Sequence, residues 1–239
     1  IGESTSALNL SLYGYPFNTS PWLKAQEKNK KFIKLNRVFA THTHSTPSLL
    51  SALSLCIKQT DKECSLLLDD IKNNLSIVDV ISKTGINSYL FSTQGSLGGH
   101  NLASKTVLNT NKNFFSSQEE SGEGDFKKFQ GDRYVPKIKD KEFFVNNFCK
   151  ENEIFENKKS SLVLLHSYAG HGLYGGYLGL APKNLSFEYP RYINKENFLG
   201  KESRNFKLLQ EYDSVIQYID NSLQSVFECS SLQSYKKNL

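Results

Sequence analysis

The stretch Ser161-Leu162-Val163-Leu164-Leu165-His166 runs directly into Ser167-Tyr168-Ala169-Gly170-His171-Gly172-Leu173-Tyr174-Gly175-Gly176-Tyr177, and its reading decides the fold. Consecutive aliphatic side chains without polar alternation belong to a strand buried on both faces, as in a parallel sheet covered by helices. The glycines that follow continue neither strand nor helix. They let backbone approach a ligand closely, which makes His171 a candidate binding residue. Upstream, Leu67, Ile71, Leu75, Val78 and Ile81 keep helical spacing over 65–84, Gly85 stops that helix, and a strand is predicted from Ile86 to Ser92. A second Gly-rich loop, Thr93 to Lys105, leaves its end. Strands and helices in alternation predict an α/β fold with a mainly parallel sheet, whose ligand site lies at the carboxyl ends of the strands.

Working outward, residues 32–40 (FIKLNRVFA) alternate well enough for a strand that delivers the chain into Ala40-Thr41-His42-Thr43-His44-Ser45-Thr46-Pro47-Ser48-Leu49-Leu50. Ser45 or Thr46 suits a helix N-cap and Pro47 the first helical position, with Leu49, Leu50, Leu53 and Ile57 as the buried face. Backbone N–H groups at that helix start would favour an anion, although a capped helix after a polar loop needs no ligand to explain it. Ile1 to Ser6 reads as a strand end entering a turn, Leu10 to Pro16 as an aromatic loop, and Pro21 as a helix start. Residues 109–138 read as a surface excursion, Lys139 to Glu151 as a helix, and Phe206 to Phe227 as the strongest amphipathic helix. This topology predicts that Glu3, Thr43, His44, His100 and His171 converge at one sheet edge.

The 239 residues suit a single domain. The net charge of +5 comes from 29 basic and 24 acidic residues read as spread along the chain, which predicts at most weak attraction to an anionic surface and argues against nucleic-acid binding. Neither a membrane span nor a signal peptide is visible. Met is absent even at position 1, so the chain is expected to be a portion of something longer. Cys56, Cys64, Cys149 and Cys229 form no CxxC pair; a Cys56–Cys64 disulfide and four buried thiols are both open.

A carboxylate, hydroxyls and imidazoles gathered at strand ends suit zinc, which lowers the pKa of a bound hydroxyl and shields phosphoryl charge. Here the residues resemble a family. Gly2-Glu3-Ser4, SLYGYP, NTSP, THTHSTPSLLSAL, NLSIVDVISKTGINSYLFSTQ, LVLLHSYAGHGLY and EYDSVIQYIDNSL occur in the order of corresponding elements of the phosphoethanolamine transferases. The resemblance runs from residue 1 to about 228 and is thin over 100–160.

The resemblance implies an alkaline-phosphatase-like (sulfatase-type) three-layer α/β fold, truncated, with residues 1–239 as one partial catalytic domain. It also implies zinc-dependent transfer of phosphoethanolamine from a phospholipid donor to lipid A or another surface glycan through a phospho-threonine. Thr43 matches the nucleophile, with Thr41 as its rival, and Glu3 and Thr43 match metal ligands. His171 matches a phosphate-binding histidine, while His44, Gln94 and His100 lie in matching substrate-side loops. The family's further metal ligands follow the YDNSI-type helix in an SDHGE element and a later histidine. Neither occurs by Leu239, so the zinc site is expected to be incomplete in these residues. The family's cysteines beside the nucleophile are replaced near Phe39 and Ser48, so that disulfide is not expected. A monomeric domain at the periplasmic face of the bacterial inner membrane, anchored by helices outside this chain, is the implied setting. Transfer of a phosphoglycerol-like group, a sulfatase or phosphatase activity, and a degenerate binding domain are the alternatives. Ser45 to Leu50 approaches the sulfatase C/S-x-P-S/A-x-R signature, but Leu50 stands where its arginine belongs.

Overall fold

In the computed structural model, β1 (Asn87–Ser92) lies between β2 (Asn113–Ser116) and β5 (Ser161–His166), and both pairings are parallel. β3 (Phe126–Phe129) and β4 (Arg133–Pro136) form a separate antiparallel pair. The helices are α1 (Pro21–Lys28), α2 (Ser45–Leu53), α3 (Ile77–Lys83), α4 (Asp140–Asn146) and α5 (Ser203–Phe227). The structure describes residues 2, 4–43, 45–53, 76–93, 113–116, 126–129, 133–136, 140–151, 154–155, 160–171, 174, 203–229 and 232–233. Among the described residues no helix is long and apolar enough to cross a membrane.

The two-residue period of the strands sorts their side chains into two layers. Tyr89 and Phe91 of β1, with Val163 and Leu165 of β5, pack on Phe143, Phe144, Phe148 and Val226 of the α4–α5 side. Leu90, Leu162 and Leu164 face the other way, onto Val78 and Ile77 of α3 and Leu53 of α2. A sheet with helices on both faces is the three-layer α/β arrangement that the aliphatic run at 162–165 predicts. Ser76 starts α3 with a reciprocal capping box to Asp79, and Gly85 ends the turn after it at φ +80°.

Side chains of α5 hold the amino-terminal segment in place. The Tyr212 hydroxyl accepts from Ser6 N (2.9 Å) and donates to Ser4 O (2.7 Å). Buried Asp213 accepts from Asn9 Nδ2 (3.0 Å) and the Tyr15 hydroxyl (2.7 Å). Asp220 caps α1 from a distance, accepting from Trp22 N (2.8 Å) and Leu23 N (2.9 Å). Ser20, the residue at the cap position, makes no cap bond; its Oγ instead meets Ser11 Oγ and accepts from Leu12 N. Replacing Asp220 by alanine strands two helix N–H groups, and a loss of about 1–2 kcal/mol is expected in denaturant unfolding.

Several expectations are corrected. Residues 32–40 form no strand: Ile33, Leu35, Val38 and Phe39 are exposed on both alternating sets, so no sheet neighbour pairs with them. The segment is instead tied down by the Tyr13 hydroxyl, which donates to Leu35 O (3.1 Å), and by Lys34 Nζ, which donates to Leu12 O (3.3 Å). α2 begins at Ser45 rather than Pro47, which moves its cap position to His44, outside the described residues. Within the expected excursion, Asn113–Ser116 is a strand of the central sheet, because the open edge of β1 offers it a parallel ladder.

The longest helix departs at its ends from the stripe its sequence predicts, Leu208, Leu209, Tyr212, Val215, Ile216, Ile219, Leu223, Val226 and Phe227. Leu208 and Phe227 are exposed, while Val215, Ile216, Tyr218 and Val226 are buried. Cys149 and Cys229, 80 residues apart with Cα atoms 6.2 Å apart, are disulfide-bonded, a pairing that local spacing does not reveal. Cys56, Cys64, Ile57 and residues 65–75 lie outside the described residues.

Candidate active site

At the carboxyl ends of the strands lies an open cavity of about 840 Å³. Gly2 and Ser4 to Ser6 line one side of it, Ala40 to Thr43 and one face of α2 another, and His166 of β5 also contributes. The strand period explains why His166 belongs there. It shares the face of Leu162 and Leu164, which looks onto α2 and α3. His166 is 1% exposed, and its Nδ1 lies 3.1 Å from Ser92 Oγ, its register partner on β1. That contact fixes the ring at the junction of the two strand ends.

One residue further along each strand, the side chains turn to the opposite face and meet a carboxylate. Asp140, at the start of α4, is fully buried. Its Oδ1 accepts from the Thr93 hydroxyl and from Tyr168 N (3.2 Å), and its Oδ2 from the Ser167 hydroxyl and from Ala169 N (2.9 Å). Thr93 N also donates to His166 O (3.0 Å), extending the ladder past the strands. Burial pushes the Asp140 carboxyl above its ordinary range against these four donors. Burial, with the Asp140 charge adding, likewise pushes the Tyr218 phenol up; its hydroxyl accepts from Lys141 N (2.9 Å), holding α4 on α5. Asp140 therefore clamps together the loops that leave β1 and β5.

The structure brings Thr41, His42 and Thr43 beside Gly2 and Ser4, as the convergence of the first two loops requires. Glu3 and His44, flanked by these cavity residues, and Gln94 and His100 lie outside the described residues. His171 follows β5 but is not among the cavity residues. It is exposed, with its ring stacked on Tyr168 (centroids 5.0 Å, planes 25° apart) and its backbone N donating to Tyr168 O (3.1 Å). Sequence reasoning singled out neither His166 nor Asp140. The strand parity of the LVLLH run was the available signal for His166. Asp140 left none, because an acidic residue opening a helix is ordinary. Among the described residues, no three His, Cys, Asp or Glu side chains are grouped to hold a metal ion.

This architecture, with polar loops gathered at the carboxyl edge of a parallel sheet, defines an α/β domain with a candidate ligand site at that edge. The chain belongs to the sulfatase family, whose model, described as Sulfatase, matches residues 1–237. No curated protein sequence matches it. Among solved structures, the chain is similar to the C-terminal periplasmic domain of phosphoethanolamine transferase EptC from Campylobacter jejuni. The TM-score there is 0.64 at 18% identity, covering 99% of this chain and 62% of that one. The C-terminal periplasmic domain of EcEptC from Escherichia coli in complex with Zn gives 0.61 at 18% identity, covering 95% and 57%. The lipoteichoic acid synthase LtaP from Listeria monocytogenes gives 0.57 at 15%, covering 92% and 47%. The chain thus spans less than two thirds of the length of each of these structures. At these identities the likeness concerns the fold, a sulfatase-type α/β fold with a mainly parallel sheet.

Proposed function

We propose that residues 1–239 belong to the catalytic domain of a transferase that moves phosphoethanolamine from a phospholipid to lipid A or another surface glycan at the periplasmic face of an inner membrane. The observation that carries this reading is the cavity that unites the Gly2 and Ser4 segment, Thr41 to Thr43, the Ser48, Leu49, Ala52 and Leu53 face of α2, and His166. In the proposed reaction the Thr43 hydroxyl attacks the donor's phosphodiester phosphorus. A new Thr43 O–P bond forms, the bond to the diacylglycerol oxygen breaks, and the diacylglycerol leaves as an alcohol carrying the proton that Thr43 loses. The acceptor oxygen then attacks the same phosphorus and releases Thr43. Backbone N–H groups at the α2 start favour the anionic group, and His166, held by Ser92, forms part of the cavity wall.

Zinc belongs to the proposal, with Glu3 and Thr43 as its ligands in this chain and the remaining ligands supplied by the parent protein. Its chemistry would lower the pKa of the threonine hydroxyl. His171, His44, Gln94 and His100 are proposed on the substrate side. A phosphoglycerol-type group is the second reading, supported by the fold likeness to LtaP.

The test is intact-mass spectrometry of the full-length protein after incubation with membrane phospholipids. A phosphoethanolamine adduct supports the first reading, and a glycerophosphate adduct replaces it with the second. No adduct from either lipid class removes the covalent mechanism.

A further inference from the structure

The charge of this chain is not spread evenly. Between Lys24 and Arg37 stand Lys24, Lys28, Lys30, Lys31, Lys34 and Arg37 against Glu27 alone, a net charge of +5 that equals that of all 239 residues. The remainder of the chain is therefore neutral overall. Lys34 is engaged, pairing with Glu27 (3.1 Å) and lying over the Tyr13 ring (5.6 Å), while the other five basic side chains are exposed. Interleaved with them, Ile33 and Phe39 are each 87% exposed, Val38 69% and Leu35 61%. Lys30, Lys31 and Ile33 also help to line an open depression of about 690 Å³. Lys30 sits at φ +55°, in a left-handed helix end where Lys31 N donates to Gln26 O (3.0 Å) and Lys30 N to Glu27 O (2.9 Å). Glycine is the favoured residue at such a position.

We propose that residues 24–39 form a peripheral binding surface for an anionic phospholipid bilayer. A soluble polyanion would use the lysines but has no use for four exposed apolar side chains. A bilayer interface uses both, with cations at headgroup level and apolar tips below it. The strip continues directly into Ala40 to Thr43 of the cavity wall, so docking sets the cavity mouth at the lipid surface. The proposal does not depend on the reaction assigned to the cavity, because vesicle binding is read without turnover, and either can fail alone.

The experiment is co-sedimentation of the full-length protein with phosphatidylcholine vesicles with and without phosphatidylglycerol, at low and high salt. Wild type is expected to prefer the anionic vesicles and to lose that preference in high salt. Lys28→Gln/Lys31→Gln/Arg37→Gln together should weaken binding by about a hundredfold, at roughly fivefold per charge. Ile33→Ser/Phe39→Ser should weaken it by about tenfold without altering the salt dependence. Lys30→Gly separates surface charge from folding: it should raise the thermal midpoint while lowering vesicle affinity by roughly fivefold. Equal binding to neutral vesicles, or a charge-depleted variant that binds as wild type does, overturns the proposal. So does indifference to Ile33→Ser/Phe39→Ser combined with tighter binding of a soluble anionic polysaccharide, which would assign the strip to a polyanion.

Discussion

Replacing Thr43 by alanine is expected to eliminate the covalent phospho-enzyme and to lower group transfer by about four orders of magnitude or more, as loss of a nucleophile does. The fold should not change. Thr43 is exposed at the cavity wall, and a substitution there is expected to alter unfolding free energy by no more than about 0.5 kcal/mol. The measurement is peptide mapping of the phosphorylated adduct in wild type, Thr43→Ala and Thr41→Ala after incubation with phospholipid. Thr41→Ala should keep the adduct. An adduct that survives Thr43→Ala and maps to Thr41 would transfer the role to that residue, two positions upstream on the same cavity wall. An adduct on neither would end the phospho-threonine mechanism.

The largest effect on stability is expected at Asp140. Asp140→Ala removes a fully buried acceptor: Tyr168 N keeps Thr93 Oγ1 and the Thr93 hydroxyl keeps His166 O, but the Ser167 hydroxyl and Ala169 N are stranded beside a new cavity, at a cost of about 3–5 kcal/mol. Asp140→Asn should cost much less, about 1 kcal/mol. With its amide nitrogen at the Oδ1 position, the Thr93 hydroxyl accepts from it and turns its own proton to His166 O, 3.3 Å away. Tyr168 N then keeps Thr93 Oγ1 (2.8 Å) as its acceptor, and the amide oxygen retains Ser167 and Ala169.

The pH dependence has a definite sign. Burial, the largest influence, raises the folded carboxyl above its ordinary value of 3.8. The stabilisation linked to that shift is complete below the unfolded value and is lost as pH rises through the folded one. The penalty of Asp140→Asn relative to wild type should therefore be largest in acid and shrink toward neutral pH. Thermal unfolding of both proteins across that range tests it; a penalty that grows with pH would show the four donors outweighing burial.

Asp140 at the start of α4 and Asp220 of α5, the long-range cap of α1, share a logic: burial raises the pKa of both. Asp140 and Asp220 are buried and accept from backbone N–H groups, those of Tyr168 and Ala169 for the first and of Trp22 and Leu23 for the second. Such carboxylates organise loops rather than react. Their placement ties segments distant in sequence together, Thr93 and residues 167–169 to α4 through Asp140, and residues 22–23 to α5 through Asp220.

The sequence by itself determined the sheet and its covering. The unbroken LVLL run could be satisfied only by packing on both faces, and Gly85 set the turn from α3 into β1, although the helix expected over 65–84 is interrupted at Ser76, whose extended backbone caps α3. It also set the chemistry offered at Thr41 to Thr43, because side-chain type is local information. The tertiary structure alone decided the rest. It turned the alternating segment 32–40 into an exposed strip, because alternation yields a strand only where a sheet edge is free to pair with it. It joined Cys149 to Cys229, set Asp140 across from Thr93 and Ser167, and brought His166 to the cavity wall. Each of these depends on partners tens of residues away, and local pattern carries no record of which distant atoms a side chain will meet.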